Sequence, residues 1–164
     1  MRDFFRKKSM SKLLQYALYM LIVLVFQNML FSNIRPLGVC CMFLPAAVVA
    51  VAMFEGTTYG AVFALILGIF ADMAYVENSY MFTMLFPAIA FFAGFMCQFF
   101  VNRRFFAFMF LSAAALLVTA AVQAVSVLIV SGFSFSIIWT ALLQTLWSIP
   151  VSALCYPAPA KWIN

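Results

Sequence analysis

The sequence has no histidine, and only four of its 164 residues are acidic. General acid–base and nucleophilic catalysis rely on histidine, carboxylate and activated thiol groups, and zinc sites need several such ligands close together. A glycine-rich phosphate loop followed by a lysine is also missing. These absences predict a protein that is not an enzyme and that holds no metal or cofactor.

Cysteine is scarce as well. Cys40, Cys41, Cys97 and Cys155 fall at different depths of the apolar runs of the chain, and adjacent cysteines such as Cys40 and Cys41 rarely bridge each other. Neither a disulfide framework nor a metal site is expected from this spacing. The sequence instead predicts that the four cysteines are small residues facing the protein interior.

Charged residues are rare: they make up 8% of the chain, whereas soluble domains carry about 25%. Hydrophobic residues make up 68%. They form six runs, each long enough to cross a bilayer as a helix, at 13–31, 37–54, 57–76, 80–101, 105–131 and 133–156. A head at 1–12, a tail at 157–164 and short links leave no room for a soluble domain. The sequence predicts an all-α integral membrane protein, a compact bundle of six transmembrane helices.

The cations indicate the orientation of this bundle. The head holds five of the nine, so the positive-inside rule places it in the cytoplasm. Six alternating spans then put both termini and eight cations on the cytoplasmic side, and only Arg35 outside. The cytoplasmic cations are Arg2, Arg6, Lys7, Lys8, Lys12, Arg103, Arg104 and Lys161. Topology thus explains the basic pI near 9.2. Weak attraction to anionic membrane lipid is expected, and no nucleic-acid partner is.

The third predicted span carries small residues and one carboxylate at a spacing of four. They are Gly56, Gly60, Ala64, Gly68 and Asp72. Small residues on one helix face let a neighbouring helix approach closely. We therefore expect Gly60 and Gly68 to pack against other helices.

Asp72 is expected to face the interior and to have a partner, because an acid inside a span costs at least about 2.5 kcal/mol. One hypothesis is a pair with Arg35, held near the outer surface by Pro36, which can start the second helix. The alternative is that Asp72 reaches the membrane interface or bonds to polar neighbours. Candidates at similar depth are Gln27, Asn28, Ser126 and Thr140.

Polar residues recur on one face of each of the last two predicted spans. In the sixth they are Ser136, Thr140, Gln144, Ser148 and Ser152, and in the fifth they are Ser112, Thr119, Gln123 and Ser126. We expect both faces to point inward, where they form interhelical hydrogen bonds or line a polar pocket.

Proline occurs within three predicted spans, at Pro45, Pro87 and Pro150. Each removes a helical hydrogen bond and favours a kink. The 21 phenylalanines are expected to coat mostly lipid-facing surface, and such a face could equally accept a single helix of a partner protein.

The layout resembles the MreD family of rod shape-determining membrane proteins, which have about this length and six spans. The matching features are the basic head, Arg35-Pro36 at the start of the second span, Gly60 with the Gly-Ile-Phe-Ala-Asp of 68–72 in the third, and Trp147-Ser148-Ile149-Pro150 in the last. Together they cover nearly the whole chain. The resemblance implies a fold similar to that of the S components of energy-coupling-factor vitamin transporters.

The resemblance further implies a non-enzymatic subunit of the bacterial cell-elongation machinery in the cytoplasmic membrane. It would associate directly with MreC, and through MreC with MreB, RodA and a class B penicillin-binding protein, to scaffold or regulate peptidoglycan synthesis and cell shape. Homo-oligomers are compatible with this role. The candidate structural or interaction residues are Arg35, Pro36, Gly60, Gly68, Asp72, Gln123, Thr140, Gln144 and Pro150.

A substrate-binding S component of such a vitamin transporter is the second hypothesis. S components are similar in length, span number and small-residue packing. Their first span typically carries an Ala-x-x-x-Ala motif that docks the coupling subunit, whereas here Ala17 is followed four residues later by Leu21. The hypotheses differ in what the protein binds: MreC in one, a vitamin-like molecule in the other.

Overall fold

The computed structural model describes residues 2–31, 42–74, 80–99, 105–131 and 135–155. Within these ranges the chain forms six α-helices and no strand, which confirms the prediction of an all-α protein for this part. The helices are α1 Arg2–Phe26, α2 Leu44–Glu55, α3 Thr57–Ala74, α4 Met81–Phe99, α5 Phe105–Ser131 and α6 Phe135–Ser152. A π-helical turn, Gln27–Phe31, continues α1, and a 3₁₀ turn, Ala153–Cys155, follows α6.

Three of these helices are long and apolar enough to cross a membrane. Their apolar windows are Thr57–Ala74 in α3, Met81–Gln98 in α4 and Phe105–Ile129 in α5. Two further apolar stretches, Leu14–Met29 and Leu44–Glu55, are shorter. The three long helices indicate a membrane protein.

Side-chain contacts show that consecutive helices run in opposite directions. At one end, the Glu55 end, the Tyr16 hydroxyl of α1 donates to Glu55 at the end of α2. At the other, the Asp72 end, Asp72 near the end of α3 contacts Thr83 at the start of α4. Helices α5 and α6 are also antiparallel, because Ser112 Oγ, near the start of α5, lies 3.4 Å from Ser152 Oγ, at the end of α6.

Helix α2 forms the centre of the molecule. Every residue from Leu44 to Met53 is buried, and α3, α4 and α5 all pack around it. A helix that is apolar on all sides belongs in a core, and the alanines and valines of α2 let three neighbours approach it closely. With twelve residues, α2 is only about 18 Å long.

The start of α2 differs from the prediction. The second span was expected from residue 37, yet Met42 and Phe43 are not helical, and the helix begins at Leu44. Pro45 therefore lies in the first turn and not inside the helix, where its missing N–H costs nothing. The kink expected at Pro45 is wrong for this reason. Pro36, expected to start this helix, lies outside the described residues.

A single residue turns the chain from α2 into α3. Gly56 adopts φ 93°, which residues with a side chain rarely adopt, and its N–H donates to the Ala52 carbonyl. This tight turn brings α3 back along α2. The predicted small-residue ridge therefore begins at a position where glycine is required by the backbone.

Helix α1 lies at the edge of the bundle. Only Tyr19 and Val23 are buried among its described side chains, followed by Gln27 in the π-helical turn, while Leu14 and Leu18 are largely exposed. Because α1 begins at Arg2, most of the predicted head continues the first helix. Two prolines, Pro87 in α4 and Pro150 in α6, do lie inside helices.

Candidate functional site

Asp72 holds the start of α4 to the end of α3. Its Oδ1 accepts a hydrogen bond from the Phe82 N–H at 3.1 Å, and its Oδ2 accepts from the Thr83 N–H at 2.8 Å and the Thr83 hydroxyl at 2.6 Å. The first N–H groups of a helix have no partner within it, and negative charge is favourable at that end. Asp72 thus acts as a cap supplied by the preceding helix.

These contacts decide between the interpretations of Asp72 only in part. Bonding to polar neighbours is observed, but through Thr83 and the backbone of α4. Gln27 and Ser126, which were candidate partners, bond instead to Phe43 and Met81 respectively. Arg35 lies outside the described residues, so the Arg35–Asp72 pair stays a prediction.

Three glycines sit where helices touch backbone to backbone. A Cβ on Gly60 of α3 would lie 2.6 Å from the Cα of Ala52 in α2, and one on Gly68 of α3 would lie 2.8 Å from both the Phe82 carbonyl oxygen and the Thr83 Cα of α4. These distances are shorter than any ordinary carbon contact. Close packing explains the four-residue ridge of α3.

The third glycine, Gly94, is not part of that ridge. A Cβ there would lie 2.8 Å from the Cα of Thr57. Gly94 therefore lets α4 pack closely against the start of α3, and Gly68 lets α3 pack closely against the start of α4. The buried Ala90 lies four residues before Gly94, and this second small-xxx-small pair is the sequence signal for the contact. Thr83 has no comparable signal, because its role depends on the turn that brings it to Asp72.

Buried polar side chains converge on the non-helical backbone before α2. The Met42 N–H donates to the Ser148 hydroxyl oxygen at 3.1 Å, and the Phe43 N–H donates to Gln27 Oε1 at 3.1 Å. Ser148 and Gln27 are 0% and 2% exposed. A buried N–H without a partner costs free energy, so these two side chains allow α2 to begin inside the protein.

Gln123 and Gln144 extend this polar cluster between α5 and α6. The Gln144 side-chain amide donates to Gln123 Oε1 at 3.4 Å, and that of Gln123 donates to the Met42 sulfur at 3.5 Å. Next to them is a cavity of about 10 Å³, which Thr119, Thr145 and Ser148 also line. That volume suits at most about one water molecule.

The predicted inward faces of α5 and α6 hold only over part of their length. Ser112, Thr119, Ser148 and Ser152 are buried, but Ser126, Ser136 and Thr140 are exposed. The expectation that Thr140 points inward is therefore wrong. Toward the Asp72 end the two helices are no longer covered on that face by α2, because α2 begins only at Leu44. Pro150, another candidate, is exposed in the last turn of α6.

The Glu55 end carries a second set of polar contacts. The Tyr16 hydroxyl donates to Glu55 at 2.5 Å, and the buried Tyr19 hydroxyl donates to the Cys155 carbonyl oxygen at 3.3 Å. Both contacts fix the edge helix α1 to the rest of the bundle. Of the cysteines in the described ranges, Cys155 is buried and Cys97 half-buried. No group of three or more His, Cys, Asp and Glu suited to a metal ion occurs among the residues that were placed.

An apolar groove of about 320 Å³ opens between α4 and α5. Its walls run from Leu85 to Met96 on α4 and from Leu111 to Val118 on α5, and Val49 of α2 forms part of its floor. All its lining residues are apolar. Both walls lie in the middle of helices that are long enough to cross a membrane.

Gln27→Met is expected to destabilise the protein by about 1–2 kcal/mol, because the buried Phe43 N–H loses its acceptor. The thermal unfolding midpoint of the purified protein in detergent measures this change. Gln15→Met on the same helix is the matched control, since Gln15 is exposed and its substitution should leave the midpoint unchanged. Equal midpoints for both variants would show that the Gln27–Phe43 bond does not stabilise the start of α2.

Within the described ranges, the fold and these contacts define an all-helical protein with three helices able to cross a membrane and with polar contacts at both ends of an apolar core. Comparisons with models of protein families, with curated proteins and with solved structures gave no match for this chain.

Proposed function

We propose that this protein is a non-enzymatic, MreD-like subunit of the bacterial cell-elongation machinery. It spans the cytoplasmic membrane six times with both termini inside, and it binds the single transmembrane helix of MreC. Through MreC it acts on MreB, RodA and a class B penicillin-binding protein to scaffold or regulate peptidoglycan synthesis and cell shape. The observation that supports this proposal best is the apolar groove between α4 and α5.

The groove has the chemistry that a transmembrane helix recognises. Its lining is apolar throughout, and its wall on α4 extends over about 16 Å, given 1.5 Å of rise per residue. Helices associate in membranes mainly by close packing against small residues. Ala88 and Ala114 lie on opposite walls of the groove and are exposed, so an incoming helix can approach both backbones.

The polar cavity near Met42 favours this proposal over the vitamin-transporter alternative. A small-molecule site usually encloses about 300–1,000 Å³ and combines apolar walls with a few polar groups. The cavity beside Gln123 and Gln144 holds only about 10 Å³, and the larger groove offers no polar side chain to orient a vitamin. Gln123 and Gln144 act in this proposal as interhelical hydrogen-bonding residues.

Co-purification from bacterial membranes tests the proposal. The tagged protein should retain MreC in mild detergent, and its depletion from a rod-shaped cell should produce round cells. A purified protein that carries a vitamin-like molecule and retains no MreC would overturn the proposal and favour the S component. Rods that keep their shape but require a vitamin would lead to the same conclusion.

Ala114→Phe is expected to fill the groove and to weaken retention of MreC by at least about fivefold, equivalent to about 1 kcal/mol. The large ring would occupy the space that a partner helix needs, while the bundle itself should stay folded because Ala114 is exposed. Quantitative co-purification at equal expression measures the effect.

The matched control is Ala17→Phe, which places the same ring at an exposed position of α1, away from the groove. It should leave retention of MreC unchanged. If both variants retained MreC equally well, the partner helix would have to bind elsewhere on the protein.

A further inference from the structure

The first helix extends well beyond the described contact that lies nearest its N-terminus. Its lowest described contact is the Tyr16–Glu55 hydrogen bond, where α2 ends and the chain turns into α3. From Tyr16, α1 continues away from the Asp72 end to Arg2, over about 21 Å at 1.5 Å per residue. The outer part of this segment, residues 2–12, forms the basic arm.

The basic arm carries five cations and one acid, Asp3. The helix from Arg2 to Phe26 has neither glycine nor proline, the residues at which helices usually kink. The arm is therefore a continuation of the apolar part of α1 and shares its direction. It extends out of the bundle at the Glu55 end.

The distribution of the cations distinguishes this arm from a helix that lies on a membrane. At about 100° per residue, the five cations leave no sector wider than about 100° without a positive charge. Interfacial helices instead gather their charges on one face, opposite a continuous apolar face. The distribution of cations around the arm is therefore typical of a helix that is surrounded by water or by a partner protein.

The distance of the outer cations from the membrane surface also indicates that they do not lie on the membrane. Glu55 ends α2, and an ionisable group marks the membrane surface because burial of its charge is costly. Along the helix axis from Tyr16, whose hydroxyl contacts Glu55, the backbone of Lys12 lies about 6 Å and that of Lys8 about 12 Å further out, within or just beyond a headgroup layer of about 5–8 Å. The backbone of Arg6 and that of Arg2 lie about 15 and 21 Å further out, and headgroup charge is screened over about 8 Å.

We propose that the basic arm binds an acidic segment of a cytoplasmic protein, with Arg2 and Arg6 as its main contacts. This inference rests on the cytoplasmic placement of the N-terminus in the proposed function. Complementary charge on the partner would steer its approach and set its position. The proximal cations, Lys8 and Lys12, serve the membrane surface instead.

The test uses the full chain in lipid nanodiscs and a fluorescent poly-glutamate peptide as the acidic probe. Fluorescence anisotropy measures binding in discs of phosphatidylcholine alone and in discs that also contain phosphatidylglycerol. Wild type should bind the peptide in both. The double variant Arg2→Glu, Arg6→Glu should weaken binding about fivefold, and the effect should shrink as salt is added.

The control is Lys8→Glu, Lys12→Glu, which makes the same change of charge closer to the membrane. In discs with phosphatidylglycerol it should alter binding by less than about twofold, because headgroups already neutralise those positions. Loss of wild-type binding on addition of phosphatidylglycerol would show that the arm lies on the lipid and would overturn the proposal, as would equal effects of the two double variants. Retention of MreC reports separately on the proposed function, since neither variant touches the groove.

Discussion

Gly68→Leu is expected to force α3 and α4 apart at the Asp72 end and to destabilise the folded protein strongly. A Cβ at this position would already lie 2.8 Å from the Phe82 carbonyl oxygen and 2.8 Å from the Thr83 Cα. Both are backbone atoms, so no side-chain rotation relieves the overlap. Overpacking usually costs about 1–3 kcal/mol, and we expect the upper limit or more, because a leucine adds three further carbons in the same place.

The thermal unfolding midpoint and the yield of monodisperse protein measure this effect in detergent. For a chain of this size, a loss of about 3 kcal/mol corresponds to a midpoint lower by about 6–12 °C. Ala74→Leu is the control, because Ala74 lies on the same helix and is exposed. A Gly68→Leu protein that melts like wild type would show that the ridge of α3 faces lipid.

Asp72→Ala is the second substitution with a large expected effect. It removes the acceptor of two backbone N–H groups and one hydroxyl at the start of α4. Loss of a helix cap costs about 0.5–2 kcal/mol, and hydrogen bonds to a charged group contribute about 1.5–3 kcal/mol each. We expect a net loss of about 2–3 kcal/mol, because some of these groups find other partners after the substitution.

Two further variants separate the contributions at this site. Thr83→Val removes the hydroxyl contact alone and should cost less than Asp72→Ala in the same melting experiment. Arg35→Gln tests the proposed ion pair: if it destabilises the protein as much as Asp72→Asn does, Arg35 and Asp72 act together. If only the Asp72 variants melt early, the cap on α4 accounts for the whole role of Asp72.

The glycine ridge illustrates what a periodic pattern can and cannot predict. The spacing of Gly60 and Gly68 placed both on one face, and close packing followed from their size. Which helix each one meets depends on the turns that connect α2, α3 and α4. Gly60 contacts Ala52 of α2, whereas Gly68 contacts Thr83 of α4. The spacing of residues along the sequence does not predict which helix each glycine contacts.

The start of α2 shows a limit of a different kind. An apolar run such as 37–54 is equally compatible with a long spanning helix and with a shorter buried one. The structure selects the shorter helix, because Gln27 and Ser148 provide hydrogen bonds to the backbone of Phe43 and Met42. These acceptors come from α1 and α6, far away in sequence, so their effect on α2 was not predictable from the run itself.

The sequence by itself determined the all-α class and the apolar character of the chain, because composition and periodicity act locally. It also identified Asp72 and the small residues of α3 as unusual. Only the tertiary structure decided the partner of Asp72, the burial of α2 on every side and the apolar groove between α4 and α5. Each of these depends on contacts between residues far apart in the chain, and such contacts exist only after the helices have packed.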